Sequence, residues 1–413
     1  MSETCDTRTT DLLSVEDARN RILDGIQALP GRERLALAEA RGRVLARAAL
    51  APFDLPPFDN SAMDGYACRA EDLTASETSL RVIGRSMAGA PYTGAVRPGE
   101  CVRIMTGAPL PPGADTVVMQ EQVERKGDRA RIHGSHRAGE NIRRAGEEIA
   151  RGSVVLGAGK RLDPASLALL ASLGQVEVDV RRRPRVSFLS TGDELRPPGE
   201  PLGPGQIYDS NRYLLGALLH RTGIPATDLG ILADERAAVR EALREAATFS
   251  DVIISTGGVS VGEADYVRET LEELGELDLW RIRMKPGKPL AFGRLAGSLF
   301  FGLPGNPVSA AVTFALFVRP VLARLEGAAA PEPLLVPAHA RVAFHNRSGR
   351  REYLRGILQR GPDGTLWVDR AGGQGSHMLS ALAAANALIV LPEDSPGVEA
   401  GEAVDAIPLC SLD

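Results

Sequence analysis

Between about residue 180 and residue 326, apolar positions follow two rhythms in turn. Short runs rich in β-branched residues (RVSFLS, ATDLGIL, DVIIST) have the length and composition of buried strands. Between them lie DSNRYLLGALLHRTG, ERAAVREALREAATF and DYVRETLEELG, whose apolar residues recur at helical spacing. Gly223 stands where the first of these helices should stop. NPVSAAVTFALFVRPVLARLEG closes the block, with Asn306 expected as N-cap and Pro307 at the first helical position. Strand and helix alternating in this way predict an open, mostly parallel sheet with helices on both faces.

Outside this block the pattern changes. SVEDARNRILDGIQAL reads as a helix capped by Ser14, and a second short helix is expected over Glu39 to Ala48. The proline-rich APFDLPPFDN breaks the pattern and marks a boundary. From about 60 to 140 the chain reads as short β runs punctuated by glycine, including LRVIG, ECVRIMTG and DTVVMQEQV. A helix should begin at Asp163 with Pro164 at N1 and end at Gly174. After AAAPEPLL the chain turns β-rich again, with a GPDGT turn and strands at ANALIVLP and EAVDAIPL, as in a small barrel or sandwich.

Composition narrows the classes. With 413 residues, 44% hydrophobic and 24% charged, the chain suits about three globular domains. A net charge of −5 and only 4% aromatic residues argue against a nucleic-acid partner. Cys5, Cys68, Cys101 and Cys410 are scattered, which suits a reducing compartment rather than a disulfide or zinc framework. The polar start MSETCDTRTTD lacks a signal-type apolar segment, and no run approaches the ~20 apolar residues of a membrane span. A cytoplasmic location with no membrane partner is the expectation.

The chemistry concentrates where the block's strands end. FLSTGDEL and IISTGGVSVGEADY both run strand, Ser-Thr-Gly, then acids, at the edge where open α/β sheets bind ligands. Ser190, Thr191 and Gly192 in the first turn, with Ser255, Gly257, Gly258 and Ser260 in the second, offer hydroxyls and backbone N–H groups to an anion. The acids are Asp193, Glu194, Asp234, Glu263 and Asp265, and Lys285 and Lys288 flank a Pro-Gly turn in RMKPGKPLAFG. Carboxylates suit Mg²⁺ and lysines suit phosphate, so the mixture suits a magnesium–pyrophosphate substrate. Helix capping explains Asp193, Asp209, Asp234, Glu263 and Asp265 individually, and PGNP equally well. His133 and His136 in HGSH have ligand-like spacing but lack the third and fourth ligands of a zinc site.

In order and approximate spacing, PPFDNSAMDGYA, MTGAPLPPGADTVV, NIRRAGEEI, STGDEL, GQIYDSN, STGGVSVGEADY, KPGKPLAFG and LPGNPVSA resemble one family. It is the MoeA family of molybdopterin molybdenumtransferases, which includes the E-domain of gephyrin, and the resemblance runs from about residue 14 to 410. It implies a multidomain α/β plus β fold: a three-layer α/β/α domain (179–327), a split helical domain (1–50 and 141–178), an inserted β-rich domain (51–140) and a C-terminal β-barrel (328–413).

The implied reaction takes adenylated molybdopterin and molybdate, with Mg²⁺, and releases molybdenum cofactor and AMP. It implies a homodimer whose cleft is shared between subunits, and a separate molybdopterin adenylyltransferase supplying the substrate. Carried over position by position, Asp59, Thr106, Glu194, Asp265, Lys285 and Lys288 would be catalytic. Glu194, Asp234 and Asp265 would hold the metal, and Asp209, Pro304 and Pro307 would join the Ser-Thr-Gly turns in binding substrate. Glu148 departs from the pattern by replacing an aspartate. A scaffold that binds a partner peptide, an adenylyltransferase, and a pyrophosphatase acting on another nucleotide are the competing readings.

Overall fold

The computed structural model describes residues 12–257 and 266–412, so the expectations for Gly258, Ser260, Glu263 and Asp265 lie outside the described residues. The chain divides into two compact units, Arg34–Val180 and Met1–Glu33 with Arg181–Asp413.

The second of these, the α/β unit, carries a six-stranded sheet. Its strands are β1 (Val186–Thr191), β2 (Ala226–Leu232), β3 (Val252–Thr256), β4 (Gly275–Arg281), β6 (Pro289–Leu295) and β7 (Ser298–Leu303), with β5 (Met284–Lys285) lying outside it. The spatial order is β2-β1-β3-β7-β6-β4. The first four run parallel, and β6 and β4 complete one edge as antiparallel strands. The expected parallel sheet is therefore present, with an antiparallel margin that follows from the tight β6–β7 connection.

Alternation along the strands supplies both faces. Val186, Phe188, Val252, Ile254, Leu299 and Phe301 pack with α1 (Val15–Asp24), α2 (Asn211–Thr222) and α5 (Pro307–Thr313). Leu189, Ile253 and Phe300 face the other way, against α3 (Arg236–Phe249) and α4 (Tyr266–Leu274). Each buried Leu, Ile or Phe contributes about 1.5–3 kcal/mol, so these two cores hold the three layers together. Ser14 caps α1 by accepting from the Asp17 amide at 2.9 Å, and Gly223 ends α2 at φ +70°.

Helix α5 runs through a π turn, Phe314–Val318, into α6 (Arg319–Leu325). The stretch Pro307–Leu325 is apolar enough to cross a membrane, but 83% of it is buried inside the fold, as befits a core helix. Beyond it, β8 (Val336–Ala340), β9 (Arg351–Arg360), β10 (Leu366–Arg370), β11 (Ala387–Leu391) and β12 (Ala403–Pro408) close in the order β9-β10-β8-β12-β11 and back to β9. This is a small barrel, and β5 adds to it alongside β9.

The Arg34–Val180 unit contains another six-stranded sheet, ordered Thr116–Met119, Gly65–Cys68, Glu100–Ile104, Glu77–Ser86, Arg129–His133 and Val123–Lys126. Its one α-helix among the described residues, Pro164–Ser172, starts at Asp163, whose carboxylate accepts from the Ser166 amide at 2.7 Å. The short helix expected over Glu39 to Ala48 is absent. A single 3₁₀ turn, Leu37–Glu39, is followed by Gly42 at φ +73°, and the Gly42 and Leu45 amides donate to Leu162 and Lys160. Pairing with a segment distant in sequence satisfies this backbone, so local helix propensity does not decide it.

Candidate functional site

The parallel strands β1, β3 and β7 end side by side, and their small polar residues are what the sheet presents at that edge. Ser190 and Thr256 are register partners whose hydroxyls meet at 3.0 Å. Thr191 follows on β1, and Ser255 precedes Thr256 on the adjoining β3. Both are buried, and neither hydroxyl has a hydrogen-bond partner. The turns beyond require glycine. A Cβ on Gly257 (φ +86°) would lie 2.5 Å from the Thr191 carbonyl oxygen, and one on Gly192 (φ +147°) would lie 2.5 Å from the Glu194 carboxylate. The Gly257 amide also donates to the Leu303 carbonyl at 3.3 Å, linking the second turn to the end of β7.

Three carboxylates gather beside the first turn. The Asp234 amide donates to Asp193 Oδ1 at 3.0 Å. Burial first, and then the charges of Asp193 and Glu194, push the Asp234 carboxyl above its usual range. Like charges held together in this way favour a cation, and Mg²⁺ commonly uses only one or two protein carboxylates and completes its shell with phosphate and water. Glu194 and Asp234 fit that role. Among the described residues no three His, Cys, Asp or Glu side chains converge as a self-sufficient metal site.

Helix α2 opens at the same edge. Asp209 is 2% exposed; one carboxylate oxygen accepts from the Arg212 amide at 3.1 Å, while the other has no partner. The capping role is therefore present but leaves an acceptor over. Asn211 is also buried, donates to the Gly305 carbonyl at 2.7 Å and leaves its own Oδ1 unpartnered. The Gly305 bond anchors the loop between Pro304 and Pro307, and Pro307 starts α5.

The two lysines are not equivalent. Lys285, on β5, pairs with the buried Glu352 of β9 at 3.1 Å. Lys288, half-buried, has no side-chain hydrogen bond or ion pair among the described residues. Nearby in the barrel, Arg355 is 1% exposed and faces only carbonyls, those of Tyr353, Gly373 and Gly375, with its Nε unpartnered. Burial alone lowers its pKa. The same loop's Ser376 carbonyl accepts from the Val308 amide at 3.1 Å, which ties it to the start of α5.

Asp59 and Thr106 belong to the other unit and form a different kind of cluster. The segment Asn60–Ser61 pairs with Ile142–Arg143, which brings the NIRRAG turn onto the FDN segment. Asp59 accepts from Arg144 Nη1 at 2.6 Å and from the Ala145 amide at 2.8 Å, and these two bonds hold its carboxyl below the usual range. The amide and hydroxyl of Thr106 both donate to Asp64 Oδ1, at 2.8 and 2.7 Å, lowering that carboxyl too. Backbone bonds from Leu110 to Asp59 and from Gly107 to Ser61 join the two motifs. The Glu148 side chain is exposed, and its amide donates to the Leu55 carbonyl. His136 bonds Glu140 and the His133 carbonyl, which accounts for the HGSH pair without a metal.

Four functional candidates escape sequence reasoning. Asp64, Arg144 and Asn211 lie inside quoted motifs but have no chemical signature of their own. Arg355 did leave a signal, a lone charge in the apolar run YLRGIL.

Comparison with known proteins bears on the whole chain. Residues 13–174 match the MoeA N-terminal region (domain I and II), 187–324 the probable molybdopterin binding domain, and 337–409 the MoeA C-terminal region (domain IV). A protein of Haemophilus influenzae named molybdopterin molybdenumtransferase is 43% identical over 97% of this chain and 100% of its own. One of the same name from Nostoc is 38% identical over 97% of this chain and 94% of its own. The crystal structure of a molybdopterin biosynthesis moeA protein from Pyrococcus horikoshii OT3 superposes with a TM-score of 0.83 at 33% identity, covering 96% of this chain and 100% of that one.

Proposed function

Because the chain belongs to the MoeA family of molybdopterin molybdenumtransferases, we propose how its residues insert molybdenum into molybdopterin. It is a transferase of molybdenum cofactor biosynthesis. The substrate is adenylated molybdopterin together with molybdate, and AMP is released as the metal is delivered. The observation that carries this reading is the β1–β3–β7 edge, where buried acceptors and hydroxyls have no partner and Asp234 is crowded by like charge. Such an edge suits a ligand that brings both a cation and anionic oxygens.

Mg²⁺ held by Glu194 and Asp234, with Asp265 as a further candidate, would draw charge from the pyrophosphate oxygens. Ser190, Thr191, Gly192, Ser255 and Gly257 form the substrate cradle, Gly258 and Ser260 are assigned to the same role from the sequence motif alone, and Asp209 orients the substrate from the start of α2. Lys288 is the uncommitted cation for phosphate or molybdate, whereas Lys285 acts by neutralising Glu352 and fixing the Lys-Pro-Gly-Lys turn. Arg355 adds buried positive charge through the loop seated on α5. Anhydride cleavage at such a site relies on positioning and electrostatics, with no covalent nucleophile. Asp59 and Thr106 are assigned to the same reaction, in a cytoplasmic homodimer whose cleft takes residues from both subunits. A separate adenylyltransferase supplies the substrate.

The protein with adenylated molybdopterin, Mg²⁺ and molybdate should release AMP in step with molybdenum cofactor. Release that ignores molybdate would instead favour a pyrophosphatase, and no release would favour a scaffold.

A further inference from the structure

Asp59 sits in a built environment that its motif alone does not disclose. The turn Arg144–Glu147 closes on itself: the Arg144 amide donates to Glu147 Oε2 at 2.8 Å, and the Glu147 amide donates to the Arg144 carbonyl at 3.1 Å. Gly146 within it has φ +72°, and a Cβ there would press on the Asp54 carboxylate at 3.1 Å. The turn is therefore fixed in the one form that aims both the Ala145 amide and the Arg144 guanidinium at Asp59. Both Asp59 oxygens are used, Oδ1 by Ala145 and Oδ2 by Arg144.

We infer that Arg144 is the positioning residue for Asp59, fixing the orientation in which its carboxylate meets the reactants. The inference rests on the assignment of Asp59 to the reaction made above. Each Asp59 oxygen accepts one of these bonds and keeps a second acceptor site, so the carboxylate is held in one orientation while a lone pair on each oxygen stays available to a reactant. The charged groups around it are few. Arg144 faces it directly, Glu147 is turned to the Arg144 amide, and Asp54 lies across Gly146, where it accepts from the Arg151 amide at 2.7 Å. Glu148 is exposed and has no part in the arrangement.

The test compares Arg144→Gln, Arg144→Lys and Asp59→Asn in the full-length protein, reading kcat/KM against pH and the Asp59 carboxyl by ¹³C NMR. Arg144→Gln should lower kcat/KM by roughly 10²-fold, the scale of a misplaced catalytic group. It should also raise the pH of the acidic limb and move the Asp59 titration part of the way up, since the Ala145 amide bond remains. Arg144→Lys should restore part of the rate and most of the low titration point, and added guanidinium should rescue Arg144→Gln but not Asp59→Asn. If the Asp59 signal and the pH profile of Arg144→Gln match wild type, the inference is wrong. Wild-type activity in Asp59→Asn would overturn the assignment of Asp59 instead, while the Asp59 titration in Arg144→Gln still reports on Arg144.

Discussion

The carboxyl edge of the α/β sheet and the Asp59 cluster carry the same residue types in opposite electrostatic states. At the sheet edge, Thr191, Ser255, Asp209 and Asn211 each bury a polar atom with no partner, and Asp234 is pushed up by burial and like charge. In the Asp59 cluster, the acids are matched by Arg144, Ala145 and Thr106, and both carboxyls are held down. Leaving a buried polar group unpaired costs about 1–3 kcal/mol, so a ligand that supplies partners to these atoms has that much to gain at the first region. In the second the Asp59 and Asp64 carboxylates are partnered, while the neighbouring buried Asn60 keeps an unpartnered Oδ1. On the proposed assignment, substrate and Mg²⁺ bind at the sheet edge and the Asp59 cluster contributes preorganised geometry.

The largest effects should come from breaking the sheet edge's complement to the ligand. Lys288→Ala and Asp234→Ala should each lower kcat/KM by roughly 10²–10³-fold, the scale of a lost transition-state contact, with circular dichroism unchanged. Lys285→Ala should act differently, chiefly lowering thermal stability, because it leaves the buried Glu352 charge without its lysine.

Charge reversal of the trend is the sharper contrast. Asp234 titrates above its ordinary value, so its ionised form is a burden on the folded state at neutral pH, relieved as pH falls through that raised value. Asp234→Asn should therefore raise Tm at pH 7 without Mg²⁺, by roughly 2–4 °C, while costing activity. Asp59 titrates below its ordinary value, so its contribution is present above the usual aspartate pKa and is lost as pH falls. Asp59→Asn should lower Tm at pH 7, and a calorimetric scan of both variants separates the two signs.

Smaller effects refine the same comparison. Thr191→Val removes a hydroxyl that has no partner, so stability should hold or rise by up to about 1 kcal/mol while substrate affinity weakens. Thr106→Val removes a donor to Asp64 and should lower the Tm of its unit. Ser14→Ala, remote from both regions, should cost about 1 kcal/mol through the lost α1 cap and leave kcat unchanged.

Legibility in the sequence followed the range of the interaction. The short β-branched runs and the caps at Ser14, Asp163 and Gly223 are local, and the elements they announce are where the pattern puts them. The residues from Glu39 to Ala48 have helical composition, yet many of their backbone bonds are made with residues 159–162 and with Asp179, which no local pattern reports. The two Ser-Thr-Gly turns fall at the ends of β1 and β3 as their pattern announces, because strand ends and glycine are both visible in one dimension. The inequality of Lys285 and Lys288 was not visible, since Glu352 arrives from the barrel through the β5–β9 pairing. Asp64 and Arg144 were hidden for the same reason: their roles exist only once separate segments are hydrogen-bonded to each other.

The most direct measurement is a ¹³C carboxyl titration of Asp234 and Asp59 in one aspartate-labelled sample, with and without Mg²⁺. The account predicts Asp234 above and Asp59 below the ordinary aspartate value, with Mg²⁺ drawing Asp234 down and leaving Asp59 in place. Equal titration of the two residues, or an Asp234 signal indifferent to Mg²⁺, would contradict it.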